Sequence, residues 1–377
     1  PSPRRGEGRG EGGKLESETI RDSQLSPLTP ALSPRGEREN RAWNDWPAVV
    51  GAMLFAIHPV QVQAVAWVSG LKDVLSGFLA LVAVWQYFVG TRRSYVIATI
   101  AMFAATLAKP SAMVTPLIVL IIDVLVMKRP LRSSLRSLWI WFALALPAAI
   151  LTKLAQPPTG VPAAPLWARP LVAMDSLTFY IGKLLLPVGL TVDYGRTPMR
   201  VFHGPLFYLS WLVPLIIFGV CMLSRRRPMQ YLAACAIFVA GVLPVLGFTP
   251  FQYQKISGVA DHYIYLSMLG PALAIALFVA DHPTRLVVVA AGILLGMLAV
   301  LTVRQTGFWH DDAALFAHNI AINPASGLAH LNLGAALERG GDLDGAEREY
   351  REALRIDPND ADATANLSDL LRRRGKT

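Results

Sequence analysis

Residues 51–87 read GAMLFAIHPVQVQAVAWVSGLKDVLSGFLALVAVWQY, and this stretch decides the fold. Two apolar runs flank a polar centre that contains His58, Gln63, Lys72 and Asp73. Each run is long enough for most of a membrane-spanning helix. Polar groups near membrane depth are costly and usually face a cavity or a partner. The stretch therefore predicts two spans with a polar surface between them.

The composition of the whole chain extends this prediction. Of 377 residues, 53% are hydrophobic and 16% are charged, whereas a soluble protein carries roughly a quarter charged residues. The apolar residues come in blocks, which favours a polytopic membrane protein over one large soluble core. The net charge of +9 lies in short basic clusters between those blocks, as membrane topology requires, so we exclude a nucleic-acid partner.

The chain has two cysteines, Cys221 and Cys235, and both fall within predicted spans. Neither a disulfide framework nor a metal site is indicated, because no ligand cluster has metal-binding spacing. We therefore expect no cofactor, although the sequence leaves a divalent metal ion open.

Residues 1–46 are polar and rich in Gly, Pro, Ser, Arg and Glu, and they predict a disordered segment. The run that begins at Ser2, SPRRGE, is echoed by SPRGE from Ser33. Such a repetition resembles a translated intergenic repeat of bacterial genomes. In addition, the chain begins with proline and not with methionine. We expect that the segment is not native and that the true N-terminus is missing or replaced. An ordinary basic cytoplasmic tail is the alternative.

From residue 47 onward, apolar blocks predict about nine spans in an all-α transmembrane domain, residues 47–303. The blocks lie at 47–66, 71–90, 95–108, 111–127, 137–153, 206–223, 229–248, 263–280 and 285–303. If every block crosses, the basic clusters at 92–93, 128–136, 225–227 and 285 all share one side. Basic loops stay cytoplasmic, so that side is predicted to be the cytoplasm.

This topology places four connecting segments outside: 67–72, the turn at Lys109, 154–205 and 249–262. The chain after Arg304 also lies outside. Within the outer loop 154–205, residues 171–186 are apolar with polar residues interspersed. We interpret them as an interfacial or re-entrant helix.

The end of the chain, residues 304–377, has a different character. Residues 326–359 read SGLAHLNLGAALERGGDLDGAEREYREALRIDPN, which matches the tetratricopeptide helix-turn-helix repeat of about 34 residues. The predicted packing positions of this repeat are Leu333, Gly334, Ala346, Tyr350, Ala353 and Pro358. Residues 311–325 predict the second half of an earlier repeat, and 361–373 the opening of another.

Many polar residues are predicted at the outer face although they are distant in sequence. They are His58, Gln61, Gln63, Lys72, Asp73, Lys109, Lys183, Asp193, Tyr194, Lys255, Asp261, His262 and Tyr263. A cationic, partly aromatic cavity at membrane level suits a lipid with an anionic head group. The candidates for binding the lipid phosphate are His58, Lys72, Asp73, Lys109, Lys183, Lys255, Asp261 and His262.

Several of these residues also have structural interpretations. His58, beside Pro59, is expected either in the cavity or as a cap at a span end. Lys72 and Asp73 are alternatively a solvated pair at a helix start, and Lys109 alternatively reaches to the membrane surface from a turn. Asp123 lies towards the cytoplasmic end of its span, and we interpret it as structural.

Six stretches of the chain carry a family resemblance. They are HPVQVQAVAWVSGLKDVLSG, LAKPSAMVTPLIVLIIDV, WARPLVAMDSLTFYIGKLLLPVGLTVDYG, VLPVLGF, ADHYIYLSMLG and RQTGFWHDDAALFAHNI. In order they resemble the transmembrane-and-tetratricopeptide proteins, whose animal members are protein O-mannosyltransferases and which have many bacterial relatives. The resemblance implies a C-type glycosyltransferase fold of about eleven spans with its active site at the outer face. It also implies a polyprenyl-phosphate sugar donor and external repeats that present a protein acceptor.

The chain departs from this family where catalysis is expected. The family's base is expected in an outer loop between the first two spans, and residues 1–46 contain no apolar span. Nine spans and two missing ones would give eleven. Relatives usually carry Glu at Gln63 and Arg at His262, and Glu and Arg are common where Gly70 and Leu71 stand. We therefore expect the catalytic residues to be absent and this polypeptide to have little transferase activity.

Two hypotheses follow for the function. The first is a glycosyltransferase of a bacterial inner membrane with its repeats in the periplasm, in an N-terminally truncated copy. The second is a non-catalytic, membrane-anchored scaffold that docks partner proteins on its repeats. A transporter has less support, because the spans show no internal repetition.

Overall fold

The computed structural model describes residues 45–156 and 164–375, and all regular structure in those ranges is helical. The all-α prediction is thus confirmed for the described residues. Of the segment 1–46 that was predicted to be disordered, residues 1–44 lie outside these ranges, as do residues 157–163 of the proline-rich stretch, whereas Trp46 begins the first helix.

Twelve α-helices make up the apolar part of the described chain. They are α1 (Trp46–Ile57), α2 (Val62–Ala66), α3 (Leu71–Val89), α4 (Arg92–Ala108), α5 (Thr115–Ile121), α6 (Leu131–Ala155), α7 (Arg169–Leu185), α8 (Pro198–Phe202), α9 (Leu212–Met222), α10 (Pro228–Val242), α11 (Leu269–Asp281) and α12 (Arg285–Gly307). Four more follow towards the C-terminus: α13 (Asp312–Ile322), α14 (Gly327–Arg339), α15 (Leu343–Ile356) and α16 (Ala361–Arg373).

The first predicted span, 47–66, is broken into two helices. Proline disfavours helical geometry in the residue before it, and His58 is extended, with φ −70° and ψ 132°. The Pro59–Gln61 turn then leads into α2, and the two halves are bent by 48°. Side chains at this break point into the protein, and Val60 and Gln63 are buried.

Helices α3 and α4 form the hairpin that their sequence predicts. Gly90 ends α3 in the left-handed region at φ 79°, where glycine meets no steric penalty. Thr91 then caps α4 in a capping box with Ser94. Small residues such as Ala83 and Ala98 are fully buried at a core shared with Trp141 of α6.

The predicted span 111–127 consists of three kinds of helix. A 3₁₀ turn at Pro110–Val114 precedes α5, and a π-helical turn follows at Ile122–Val126. In the π turn, Asp123 is fully buried and accepts hydrogen bonds from Tyr87 Oη (2.7 Å) and Arg129 Nη1 (3.1 Å). These contacts agree with a structural role for Asp123.

Four described helices are long and apolar enough to cross a membrane, and the bent pair at His58 raises the number to five. The four are Val68–Val89, Leu131–Ala155, Pro228–Val245 and Arg285–Gly307. Large apolar side chains on α12 are exposed, including Leu286 (77%) and Val300 (69%), as expected for a surface that faces lipid. By length and composition the described helices thus support four or five of the nine predicted spans.

The interfacial segment predicted at 171–186 is helix α7. One of its faces is buried: Ala173, Leu177 and Tyr180 pack in a core with Phe238 of α10. The helix is therefore packed into the helical body along this face.

The four C-terminal helices are antiparallel neighbours, and each begins at a side-chain cap. Asp311, Ser326, Asp342 and Asp360 each accept a hydrogen bond from a backbone N–H three residues later. Tyr350 is fully buried, and a Cβ added at Gly334 would lie 2.7 Å from its ring. Ala346 and Ala353 are also fully buried. Small residues thus let α14 and α15 approach closely.

Candidate functional site

A groove lies between α3, α6 and the loop that follows α10. It consists of a wide part of about 570 Å³ and a narrow part that share Ser111, Pro244, Val245 and Tyr263. The wide part is lined by Lys153 and Lys255 together with the rings of Phe251 and Tyr253. The narrow part is lined by Asp73, Lys109 and His262. Charged and aromatic groups therefore share one continuous depression.

An ion pair forms the end of the narrow part. Lys109 Nζ contacts the Asp73 carboxylate, whose side chain is 3% exposed. Asp73 lies in the first turn of α3, and Lys109 follows the last residue of α4. The same Nζ lies 5.9 Å from the centre of the Tyr263 ring. The structure therefore joins two residues of the predicted cavity.

Two lysines line the wide part, Lys153 and Lys255, and of these only Lys255 is among the residues predicted from the sequence. Lys153 lies in the last turn of α6 and donates a 2.7 Å hydrogen bond to the Pro250 carbonyl. The sequence did offer a signal for Lys153. This lysine lies in the last turn of a predicted span, at the end that shares the predicted side of Lys109. The charged lining residues are thus three lysines against Asp73, and the groove is net cationic.

His262 is held at the inner wall of the groove. Its backbone N–H donates to Gln63 Oε1 (2.9 Å), and its ring lies 4.4 Å from that of Tyr263. Burial, reinforced by Lys109 and Lys72, lowers the pKa of His262 to about 3, so the imidazole is neutral near pH 7. His262 Nδ1 and Gln63 Nε2 are both buried without a hydrogen-bond partner among the described residues.

Lys183, Tyr194 and Asp261 form a separate cluster outside the groove lining. Tyr194 Oη donates to Asp261 Oδ1 (2.7 Å), and Lys183 Nζ lies 5.1 Å from the Tyr194 ring centre. Lys183 also donates to the carbonyls of Val188 and Gly189. Burial raises the pKa of Asp261 to about 7, an effect that Tyr194 and Lys183 oppose. The structure therefore separates these three residues from the predicted residues that line the groove.

The remaining predicted residues lie elsewhere. His58 Nδ1 accepts from the Val60 N–H (3.3 Å), and its Nε2 lies 3.1 Å from the Leu184 carbonyl oxygen. It therefore occupies the capping position that was its structural alternative. Gln61 Nε2 donates to the Phe55 carbonyl (3.3 Å), Lys72 is exposed, and Asp193 binds the C-terminal helices.

In residues 45–156 and 164–375, no group of three or more His, Cys, Asp or Glu side chains could hold a metal ion. Cys221 and Cys235 are free thiols whose sulfur atoms lie 3.4 Å apart.

Comparison with known proteins identifies relatives for both parts of the chain. The family model described as Tetratricopeptide repeat matches residues 327–360. Protein O-mannosyl-transferase F38B6.6 of Caenorhabditis elegans is 24% identical over 323 residues, which are 83% of this chain and 46% of that protein. Protein O-mannosyl-transferase Tmtc2 of Drosophila melanogaster is 32% identical over 114 residues, 29% of this chain and 12% of that protein. No solved structure matches the chain.

The chain thus spans less than half the length of either relative. The first alignment covers more of the chain than its repeat-containing end, so it includes the apolar helices. The resemblance found in the sequence is confirmed at this level. The chain is a membrane protein that carries a tetratricopeptide repeat, and over most of its length it is homologous to the protein O-mannosyl-transferase of Caenorhabditis elegans.

Proposed function

We propose that the chain is a membrane glycosyltransferase homologue whose groove binds a polyprenyl-phosphate sugar. In a protein that also supplies the acidic catalytic loop expected of such transferases, the sugar would be transferred to a protein hydroxyl that the repeats help to present. Two observations support this proposal: the relatives are named as protein O-mannosyl-transferases, and the groove is cationic.

The charge of the groove lining carries the proposal. A phosphate monoester or diester needs positive charge and N–H donors, and lysine supplies both as a mobile point charge. Lys153 and Lys255 line the wide part, while Lys109 is already paired with Asp73. The first two are therefore expected to contact the phosphate, and Lys109 to set the potential behind it. The aromatic and aliphatic lining residues Phe251, Val245 and Met113 would accommodate the sugar and the first isoprene units.

The proposed reaction makes two demands on such a site. A base takes the proton of the acceptor hydroxyl as its oxygen attacks the anomeric carbon, and the bond to the phosphate oxygen breaks. Cations stabilise the phosphate that leaves, and Lys153 and Lys255 would do this. Gln63 cannot act as a base, because an amide does not take up a proton near neutral pH. We assign no described residue to the role of the base.

The finer topology is part of the same proposal. Nine spans in residues 47–303 would put the groove and the repeats of residues 304–377 on the outer side of a bacterial inner membrane. The placement of basic clusters on the opposite side supports this arrangement. The variants Ser111→Cys and Ser224→Cys test this topology. When intact cells are treated with a thiol reagent that does not cross the membrane, the new cysteine should be labelled in the Ser111→Cys variant and not in the Ser224→Cys variant.

Binding of undecaprenyl phosphate, measured by native mass spectrometry, tests the donor site. The double substitution Lys153→Gln and Lys255→Gln should weaken binding about tenfold or more, because each basic residue contributes on the order of 1 kcal/mol to an anionic head group. Lys128→Gln, at an exposed lysine outside the groove lining, is the matched control. Equal binding of undecaprenol, which lacks the phosphate, or unchanged binding to the double variant would reject the site.

A second candidate function has its own support in the repeat match at residues 327–360. In this alternative the chain is a scaffold, and the repeats dock a partner without chemistry. Deletion of residues 311–377 would then abolish the cellular phenotype, whereas Lys153→Gln and Lys255→Gln would leave it intact.

A further inference from the structure

Residues 190–196, between α7 and α8, contact both the groove wall and the C-terminal helices. We call this segment the coupling loop. On the repeat side, Asn319 Oδ1 accepts hydrogen bonds from Thr191 Oγ1 and from the Asp193 N–H, each 2.8 Å long. Asp193 Oδ2 accepts from Ser326 Oγ (2.5 Å) and Asn323 Nδ2 (3.3 Å). The loop is thereby fixed to α13 and to the start of α14.

The same loop holds the segment that carries the groove wall. Tyr253 Oη donates to the Val192 carbonyl (2.7 Å), and Tyr253 itself lines the groove. The Gly258 N–H donates to the Arg196 carbonyl (2.7 Å). Tyr194 Oη donates to Asp261, which directly precedes His262. These three contacts are distributed along residues 253–261, so the coupling loop supports most of that wall.

The two sets of contacts are interleaved along the loop. Thr191 and Asp193 face the repeats, whereas Val192, Tyr194 and Arg196 hold the groove wall. The turn between them is tight, because Asp193 Oδ1 accepts from the Gly195 N–H (2.6 Å) and Gly195 has φ 61°. In a loop this short and tightly turned, the residues that contact the C-terminal helices cannot move far without moving the residues that hold the groove wall.

Burial makes these contacts costly to break. Asn319 is 1% exposed and Asp193 is 4% exposed. A buried polar group that loses its partner bears its full desolvation cost. Departure of α13 would leave Asp193, Thr191 and the Asp193 N–H without these partners. The loop would then rearrange, and the partners of Tyr253 and Tyr194 would move with it.

We propose that docking of the C-terminal helices on the coupling loop positions the groove wall, so that ligand binding in the groove and repeat docking stabilise each other. Asn319 and Asp193 are positioning residues that act through Tyr253 and Asp261. The inference rests on the proposed function only in taking the groove as the ligand site. By thermodynamic reciprocity, an acceptor or partner that shifts the repeats changes groove affinity, and a groove ligand changes repeat docking by the same factor.

Hydrogen–deuterium exchange on the purified full chain tests this coupling. Asn319→Ala removes both acceptor contacts, and we expect residues 251–263 to exchange about tenfold faster or more, while α4 is unchanged. Asn332→Ala is the matched control, because among the described residues that amide bonds the Leu328 carbonyl of its own helix (2.8 Å) and no residue of the loop. Faster exchange in α13 with unchanged exchange in 251–263 would overturn the proposal.

A reciprocal variant keeps the proposal testable if Asn319→Ala does not fold. Tyr253→Phe removes only the bond to the Val192 carbonyl and should speed exchange in α13. Saturating undecaprenyl phosphate should slow exchange in α13 of the wild type, and absence of that protection despite binding would contradict the coupling. If undecaprenyl phosphate does not bind the wild type at all, the donor proposal fails, whereas both exchange comparisons still decide the coupling.

Discussion

Lys109 Nζ contacts the Asp73 carboxylate, although the two residues lie 36 positions apart. The hairpin of α3 and α4 brings them together, because its turn at Gly90 places the start of α3 beside the end of α4. The pair closes the narrow part of the groove, and its carboxylate is buried. Each charge of the pair therefore compensates the other, and the loss of one would leave the other without its counter-ion.

Loss of the Lys109 charge should destabilise the protein strongly. Lys109→Met leaves Asp73 as an unpaired buried carboxylate, and we expect a loss of about 3–5 kcal/mol in the free energy of unfolding. The double variant Asp73→Leu and Lys109→Met removes both charges and should recover most of that loss. Denaturant unfolding in detergent micelles measures both values. Equal destabilisation in the single and double variants would show that the charges are not coupled.

The stability of the protein should depend on pH through Asp261. Its pKa rises from an ordinary 3.8 to about 7 in the folded protein. The protonated carboxyl therefore stabilises the fold fully below pH 4, and this contribution is lost as the pH rises through about 7. The shift corresponds to at most about 4 kcal/mol. Melting temperatures between pH 4 and 8 should fall more in the wild type than in Asp261→Asn. Parallel curves would contradict this assignment.

Close packing of α10 and α11 should make Gly270 intolerant of a side chain. A Cβ added there would lie 2.8 Å from the Phe238 nitrogen and would also meet the Ala234 carbonyl. Gly270→Ala should therefore cost about 1–3 kcal/mol. Gly292→Ala in α12 is the control, since a Cβ there has no neighbour within 4 Å, and the better helix propensity of alanine should raise stability slightly. Thermal unfolding distinguishes the two, and equal melting temperatures would argue against the tight crossing.

The repeat domain should respond to Tyr350 in two steps. Tyr350→Phe removes the 2.7 Å hydrogen bond from Oη to Glu338 Oε2 and should cost about 1 kcal/mol. Tyr350→Ala also removes the ring that packs against Gly334 and should cost about 3–5 kcal/mol. Hydrogen exchange of α14 and α15 provides the measurement. A similar small effect of both variants would mean that the ring contributes little.

Apolar blocks and the repeat motif predicted the helices, because both are properties of short stretches of the chain, and the caps that the structure shows are equally local. Gly90 and Thr91 determine the α3–α4 turn, and Ser326 and Asp342 determine where α14 and α15 begin. Pro59 also gave a local signal, but the apolar block around it hid the break. Apolar composition measures transfer into lipid and does not report the 48° bend that follows from the extended His58 before Pro59.

The site was less predictable than the helices. The set of residues predicted on one membrane side included Asp73, Lys109, Lys255, His262 and Tyr263, which line the groove in the structure. It did not separate Lys183 and Asp261 from that groove, nor did it connect Asp193 to Ser326. The membrane side of a residue fixes only its position along the membrane normal. Whether that residue lines a given cavity also depends on helix tilt and on which loop packs against which helix.

By itself, the sequence determined the helical class, the apolar blocks and the repeat at its end, because hydropathy, caps and small-residue spacing are local properties of the chain. Only the tertiary structure decided which polar groups meet. Asp73 pairs with Lys109, and Tyr194 and Ser326 donate hydrogen bonds to Asp261 and Asp193. Buried charges and hydroxyls are generally partnered, and here the partners come from distant segments. That requirement joins the groove wall to the repeats.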